Sequence, residues 1–118
     1  MSKILIVDDE PNILLSLEYL FKKEGFQVFI ARDGEEALGI VEKDLPELVI
    51  LDIMMPKVDG YEVCKYIKQK SDAVKVVFLT AKSKQKDIEK GLGLGADLYL
   101  TKPFGNKELV NKVKGLLD

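Results

Sequence analysis

The 118-residue chain has no histidine, no tryptophan and a single cysteine, Cys64. Without histidine it cannot contain a Ser-His-Asp triad, a histidine-ligated metal or a histidine phosphate carrier. One cysteine excludes a disulfide framework and a four-thiolate zinc site, and suits a reducing compartment. No apolar run approaches the roughly 20 residues that a membrane-spanning helix needs. Met1-Ser2-Lys3 leads straight into a short apolar run with no cleavable-signal pattern, so a cytoplasmic location is expected. A strong excess of one charge is also missing. Lys plus Arg is 18 and Asp plus Glu is 20, a net charge of −2 that argues against a nonspecific DNA binder. There is no linker, low-complexity tract or repeat, which leaves one domain over residues 1–118.

What the chain does have is 47% apolar and 32% charged side chains, enough for one core. A chain of this length can bury roughly two-thirds of its unfolded surface without a staple. The charge is unevenly spread: residues 1–59 hold 6 basic and 13 acidic side chains, residues 60–118 hold 12 and 7. That split suits a cation site in the first half and a different kind of partner for the second.

Short aliphatic or β-branched runs alternate with helix-period segments. The runs are Ile4 to Val7, Phe26 to Ile30, Leu48 to Leu51, Val76 to Leu79 and Leu98 to Leu100. The first helical segment places Ile13, Leu14, Leu17, Leu20 and Phe21 on one face, with Pro11 near its start and Gly25 past its end. Asp33 with Glu36, and Asp59 with Glu62, are capping-box-like starts for the second and third. The fifth runs from Asn106 with Leu109, Val113 and Leu116 turned inward. Strand and helix alternating five times predicts an α/β domain, a parallel sheet covered by helices on both faces.

In such a sheet a ligand sits beyond the carboxyl ends of the strands, at the topological switch point. Asp8, Asp9 and Glu10 follow the first run, Asp52 the third, Thr80 the fourth and Lys102 the fifth. Asp8, Asp9 and Asp52 are expected to converge on one crevice. Two unit charges about 4 Å apart repel by roughly 4 kcal/mol at an effective dielectric near 20. Such a cluster takes up a proton, pairs with Lys102 or binds a cation. Oxygen donors without His or Cys point to Mg²⁺. An acceptor carboxylate, a hydroxyl and an ammonium are also a phosphoryl-binding set, in which Asp52 can act as nucleophile. Capping of the first helix would account for one acid of the pair, but not for Asp52 on another strand.

The stretches ILIVDDEP (4–11), LVILDIMMPKVDGYE (48–62), VVFLTA (76–81) and GADLYLTKPF (95–104), in this order, resemble the receiver domain of bacterial two-component response regulators. The resemblance runs from Met1 to about Leu117 and is to receivers of the chemotaxis-regulator-like kind. It implies a flavodoxin-like, doubly wound (βα)5 fold of strand order 2-1-3-4-5. It implies that a sensor histidine kinase or a histidine phosphotransfer protein donates a phosphoryl group to Asp52, with Mg²⁺ as cofactor. By resemblance, Asp9 and Asp52 ligate the metal directly, Asp8 acts mainly through water, and the Met54 carbonyl completes the protein ligands. Thr80 and Lys102 contact the phosphoryl group, with a cis bond between Lys102 and Pro103. Tyr99 resembles the aromatic that swings inward as Thr80 moves, switching the surface of the fourth helix, fifth strand and fifth helix toward a downstream partner or effector. The chain is then a regulatory domain that acts only on itself, with no direct contact to nucleic acid and no membrane.

Some local features depart from the family. Met54 and Lys82, two residues after Asp52 and Thr80, are poorly suited to orient an attacking water, which implies slow self-dephosphorylation. Family members that dimerise through the switch surface carry acid–arginine pairs; Leu98 and Lys112 stand at such positions here and speak against that homodimer. GLGLGA (91–96) has dinucleotide-loop spacing, but it ends a helix rather than opening one, and its glycines predict a frayed fourth helix. Lys82, Lys86 and Lys90 would share one stripe if that helix begins early. Cys64 reads as a small core residue, and Tyr61 and Tyr66 lack a stacking pattern for nucleic acid. Two alternatives compete. A haloacid-dehalogenase-type phosphohydrolase wants an acid where Met54 stands, and a flavodoxin wants a Ser/Thr-rich loop where Asp8 and Asp9 would repel the FMN phosphate.

Overall fold

The computed structural model describes residues 2–118; Met1, with which the expected single domain begins, lies outside the described residues. Strands and helices alternate as β1 (Lys3–Val7), α1 (Pro11–Lys23), β2 (Gln27–Ala31), α2 (Gly34–Asp44), β3 (Leu48–Leu51), α3 (Gly60–Lys70), β4 (Lys75–Thr80), α4 (Gln85–Gly93), β5 (Leu98–Thr101) and α5 (Asn106–Leu117). The strands form one five-stranded sheet of order β2-β1-β3-β4-β5. Every pairing is parallel. The alternation predicted the parallel sheet covered on both faces, and the flavodoxin-like strand order is the one that the resemblance implied.

The unbroken apolar strands follow from burial on both faces. Leu5, Val7, Val49, Leu51, Val76 and Phe78 point to one side, where Ala37 and Val41 of α2 and Val63, Cys64 and Ile67 of α3 cover them. Ile4, Ile6, Leu48, Ile50, Val77 and Leu79 point to the other, under Leu14, Leu17 and Phe21 of α1 and Leu109, Val110 and Val113 of α5. Alternate residues of each strand therefore serve different layers, and a polar side chain in mid-strand would be stranded in either. Asp33 accepts a hydrogen bond from the Glu36 N–H at 2.8 Å, and Asp59 from the Glu62 N–H at 3.0 Å, so both expected caps form. The second strand starts one residue later than the apolar run, because the Phe26 ring packs edge-on against Phe21 at 5.8 Å before the chain enters β2.

The early start for the fourth helix does not occur. Its first residue is Gln85, so Lys82 stands outside it, and the stripe of three lysines reduces to Lys86 and Lys90. Lys90 is engaged as well, its ammonium 4.3 Å from the centre of the Tyr61 ring.

Cys64 is fully buried in the α3 layer, as expected, and burial pushes its thiol up to about 11. The sign of its effect on stability follows from linkage. Between the ordinary thiol range near 8.5 and about 11, the unfolded chain loses the proton while the folded one keeps it. Stability therefore falls as pH rises through that window, by about 3 kcal/mol from this group. Urea titrations from pH 8 to 11 should show a shallower alkaline loss in Cys64→Ala than in the wild type. Equal slopes would show that the thiol is not held protonated.

Candidate functional site

β1 lies between β2 and β3, so the direction of winding reverses there and a crevice opens beyond the ends of β1 and β3. Asp8 and Asp52 stand on its two sides, held by backbone ties. The Asp8 N–H donates to the Ala31 carbonyl at 3.2 Å and the Asp52 N–H to the Val7 carbonyl at 3.0 Å. Both residues are buried. Lys102 reaches between them from the end of β5. Its ammonium donates to Asp8 Oδ2 at 2.8 Å and Asp52 Oδ2 at 3.3 Å, and lies 3.6 Å from Glu10 Oε1. The lysine is aimed by its own backbone, whose N–H donates to the Thr80 carbonyl at 2.8 Å. The bond between Lys102 and Pro103 is cis, as the resemblance implied.

Oxygen atoms of Asp8, Glu10 and Asp52 lie within 4.8 Å of one another. The third acid of the cluster is thus Glu10 and not Asp9, which is exposed and outside it. The reason is geometric. The chain bends at Asp9 and Glu10 beyond it is extended (φ −91°, ψ 112°), and residues 8 and 10 end up on the same side of the crevice. The Glu10 N–H also donates to Asp8 Oδ1 at 2.9 Å, and its carboxylate makes no cap on α1.

The electrostatics of the crevice are unbalanced. Burial, with the nearby Asp52 charge, lifts the Asp8 carboxyl above its usual range against the opposing pull of Lys102. For Lys102, burial works against the charge but is outweighed by the hydrogen bond to Asp8 and the charge of Asp52, so the ammonium is held above its ordinary range. Three carboxylates face one ammonium, and all the donor atoms are hard oxygens. That set fits one divalent cation of the Mg²⁺ type and offers nothing to a softer metal.

Asp52 uses its other oxygen, Oδ1, to accept from the Ile53 N–H at 2.7 Å. The chain then returns to the same place: the Gly60 N–H donates to the Ile53 carbonyl at 2.9 Å, so the first turn of α3 sits directly on the Asp52 backbone. Met54 is 60% exposed and lines a shallow groove of about 540 Å³ with Asp59, Tyr61, Lys82 and Lys90. Thr80 is fully buried, and its Oγ1 accepts from the Lys82 N–H at 3.3 Å. Tyr99 is half-buried and donates its hydroxyl to the Lys82 carbonyl at 2.8 Å. Threonine and tyrosine thus hold opposite ends of residue 82. Burial raises the Tyr99 and Tyr61 hydroxyls above the ordinary phenol range, so both remain donors. A second groove of about 550 Å³, lined by Ile13, Leu17, Pro103 and Phe104, opens on the other side of Lys102.

The fold and the site together define a parallel α/β domain with an acid–lysine crevice at the switch point of its sheet. Residues 4–114 match the response regulator receiver domain, and the chain belongs to that family, the receiver domains of two-component response regulators. It is 47% identical over 115 residues to the alkaline phosphatase synthesis transcriptional regulatory protein PhoP of Bacillus subtilis, covering 98% of this chain and 48% of that protein. It is 48% identical, with the same coverage, to the probable transcriptional regulator ycf27 of Porphyridium aerugineum. The chain therefore spans about half the length of the curated relatives it matches. Among solved structures, the BeF3-activated DrrB receiver domain superposes with a TM-score of 0.93 at 36% identity, covering 99% of this chain and 97% of that one. A CheY-like receiver domain protein from Methanospirillum hungatei gives 0.96 at 31% identity, covering 100% and 94%. This is a signalling domain, and no described helix is long and apolar enough to cross a membrane.

Proposed function

We propose that residues 1–118 form one cytoplasmic receiver domain in which Asp52 accepts a phosphoryl group from a sensor histidine kinase or a histidine phosphotransfer protein. The observation that carries this reading is the buried pair Asp8 and Asp52 bridged by the Lys102 ammonium at the switch point. Asp52 Oδ2, which accepts from the Lys102 ammonium, attacks phosphorus, a P–O bond forms, and the donor's P–N bond breaks with its electron pair left on the imidazole. Lys102 is placed to follow the transferred charge from carboxylate to phosphoryl oxygen, and the Ile53 N–H holds Asp52 in line. Asp8, Asp52 and Glu10 offer converging oxygens to Mg²⁺, and Asp9 and the Met54 carbonyl, added by the resemblance, lie on the same strand-end segments. Such an ion supplies neutralisation of charge on the phosphoryl oxygens. The groove beside Lys102, between α1 and α5, gives a donor protein room to approach.

A phosphoryl group on Asp52 competes for the Thr80 hydroxyl, which then leaves the Lys82 N–H. Tyr99 loses its fixed partner at the Lys82 carbonyl, and the surface of α4, β5 and α5 shifts for a downstream protein or effector. Exposed Met54 shields the group from water, so its decay is slow. The chain itself makes no contact with nucleic acid in this reading, although its curated relatives are transcriptional regulators.

Incubation with acetyl phosphate and Mg²⁺ should add one phosphoryl group to the intact mass. The gain should vanish in Asp52→Ala and without the metal. An unchanged mass for the folded wild type, or a gain that survives Asp52→Ala, overturns the assignment. Turnover of a simple phosphate ester would instead favour a phosphohydrolase.

A further inference from the structure

Glu10 differs from the other two acids of the crevice. Its side chain is 62% exposed, whereas those of Asp8 and Asp52 are buried. Its carboxylate nevertheless lies 3.6 Å from the Lys102 ammonium and has an oxygen within 4.8 Å of both buried acids. The main chain of Glu10 is pinned on both sides. Its N–H donates to Asp8 Oδ1 at 2.9 Å, and its carbonyl accepts from the Ile13 and Leu14 N–H groups at 3.1 Å. The side chain caps nothing on α1. With Lys102, Pro103 and Phe104 it lines the groove of about 550 Å³ beside the lysine. Glu10 thus sets a negative charge at the mouth that this groove shares with the crevice.

Three carboxylates and one ammonium leave Asp8, Glu10, Asp52 and Lys102 with a formal charge of −2, which one divalent cation cancels. The charge of Glu10 acts with opposite sign on the two things that enter: it attracts the cation and repels an anion that comes to Asp52. We propose that Glu10 is a specificity-determining residue that strengthens divalent-cation binding and holds back donors in proportion to their negative charge. In the part that rests on the proposed phosphorylation of Asp52, it disfavours dianionic acyl phosphates relative to monoanionic P–N donors. The opposite signs separate this role from a structural one. A side chain that only shaped the crevice would, on removal, weaken cation and anion together.

Glu10→Gln and Asp72→Asn, each as the full chain, are compared with wild type. Both remove one negative charge, but Asp72 is exposed in the loop before β4, at the end of the sheet opposite the crevice. Calorimetry with Mg²⁺ alone should show Glu10→Gln binding the ion about fivefold more weakly. Phosphorus NMR at saturating Mg²⁺ should show it binding inorganic phosphate about threefold more tightly, a gain that fades at high salt. At saturating Mg²⁺ its phosphorylation by acetyl phosphate, followed by intact mass, should be about threefold faster than wild type, and by monoanionic phosphoramidate less than twofold faster. Asp72→Asn should match wild type in every reading, and all three proteins should unfold at the same urea concentration. An unchanged affinity for either ion, or a change of both in the same direction, overturns the inference. So do equal gains with the two donors, or an Asp72→Asn that behaves like Glu10→Gln. If wild type gains no phosphoryl group from either donor, the Asp52 reading has failed, and the Mg²⁺ and phosphate titrations still decide for or against Glu10.

Discussion

Gly60→Ala is expected to unfold at a much lower urea concentration than the wild type and to lose phosphoryl uptake. The added Cβ would stand 2.2 Å from the Asp52 carbonyl oxygen, 2.7 Å from Ile53 Cα and 2.9 Å from the Asp52 carbonyl carbon. All three are backbone atoms, so no rotamer change relieves the contact. α3 must lift or the loop after β3 must move, and either displaces the acceptor carboxylate. Overpacking of a well-packed site costs about 1–3 kcal/mol, and a backbone clash at this depth belongs at the upper end. That is a large part of the ~5–15 kcal/mol by which domains of this kind are stable. Gly39→Ala is the matched control. Gly39 lies on α2 with nothing within 4 Å of the new Cβ, so it should stabilise by about 0.5–1 kcal/mol through helix propensity. Circular dichroism across a urea series reads both. A Gly60→Ala midpoint equal to wild type would show that α3 does not bear on the Asp52 loop.

The contrast between those two glycines also shows what is legible in a sequence of this kind. Strand positions were readable because burial on both faces leaves Leu48-Val49-Ile50-Leu51 no polar option, and the order of acids, threonine and lysine after successive strands was readable for the same reason. The caps at Asp33 and Asp59 depend only on local chemistry and formed as expected. Local chemistry did not extend to tertiary approach. Nothing in the DGYE stretch indicates that Gly60 touches the backbone eight residues earlier, or that the next tyrosine holds the first turn of a helix more than twenty residues on. In the run Asp8-Asp9-Glu10 no local signal tells which acids face Asp52, because the bend at Asp9 and the extended backbone of Glu10 set their directions. The start of α4 was ambiguous because Lys84 offers no side-chain cap, and the helix begins where tertiary ties, not capping, allow.

Lys102→Met should be the second damaging change, and its cause is electrostatic rather than steric. The side chain of Lys102 is 18% exposed, and those of Asp8 and Asp52 are 4% and 7% exposed. Removing the ammonium leaves two buried carboxylates facing each other, with Glu10 beside them. Breaking a buried pair by deleting one partner costs about 3–5 kcal/mol, and partial access of water to this crevice lowers that to about 2–3 kcal/mol. Methionine keeps the apolar stem, so the loss isolates the charge. Two further results follow from the same argument. Asp8→Asn added to Lys102→Met should recover most of the loss, because the second substitution removes the repulsion that the first exposed; in a double-mutant cycle the two changes are then far from additive. Millimolar Mg²⁺ should raise the unfolding midpoint of Lys102→Met more than that of wild type, since a cation binding the folded crevice alone then neutralises charge that the lysine otherwise covers. The measurement is a urea titration of the four proteins of the cycle, with and without Mg²⁺. If Lys102→Met matches wild type in metal-free buffer, the ammonium is not what holds Asp8 and Asp52 together. If the cycle is additive, their repulsion is screened by water, and the acids are kept in place by their backbone ties alone.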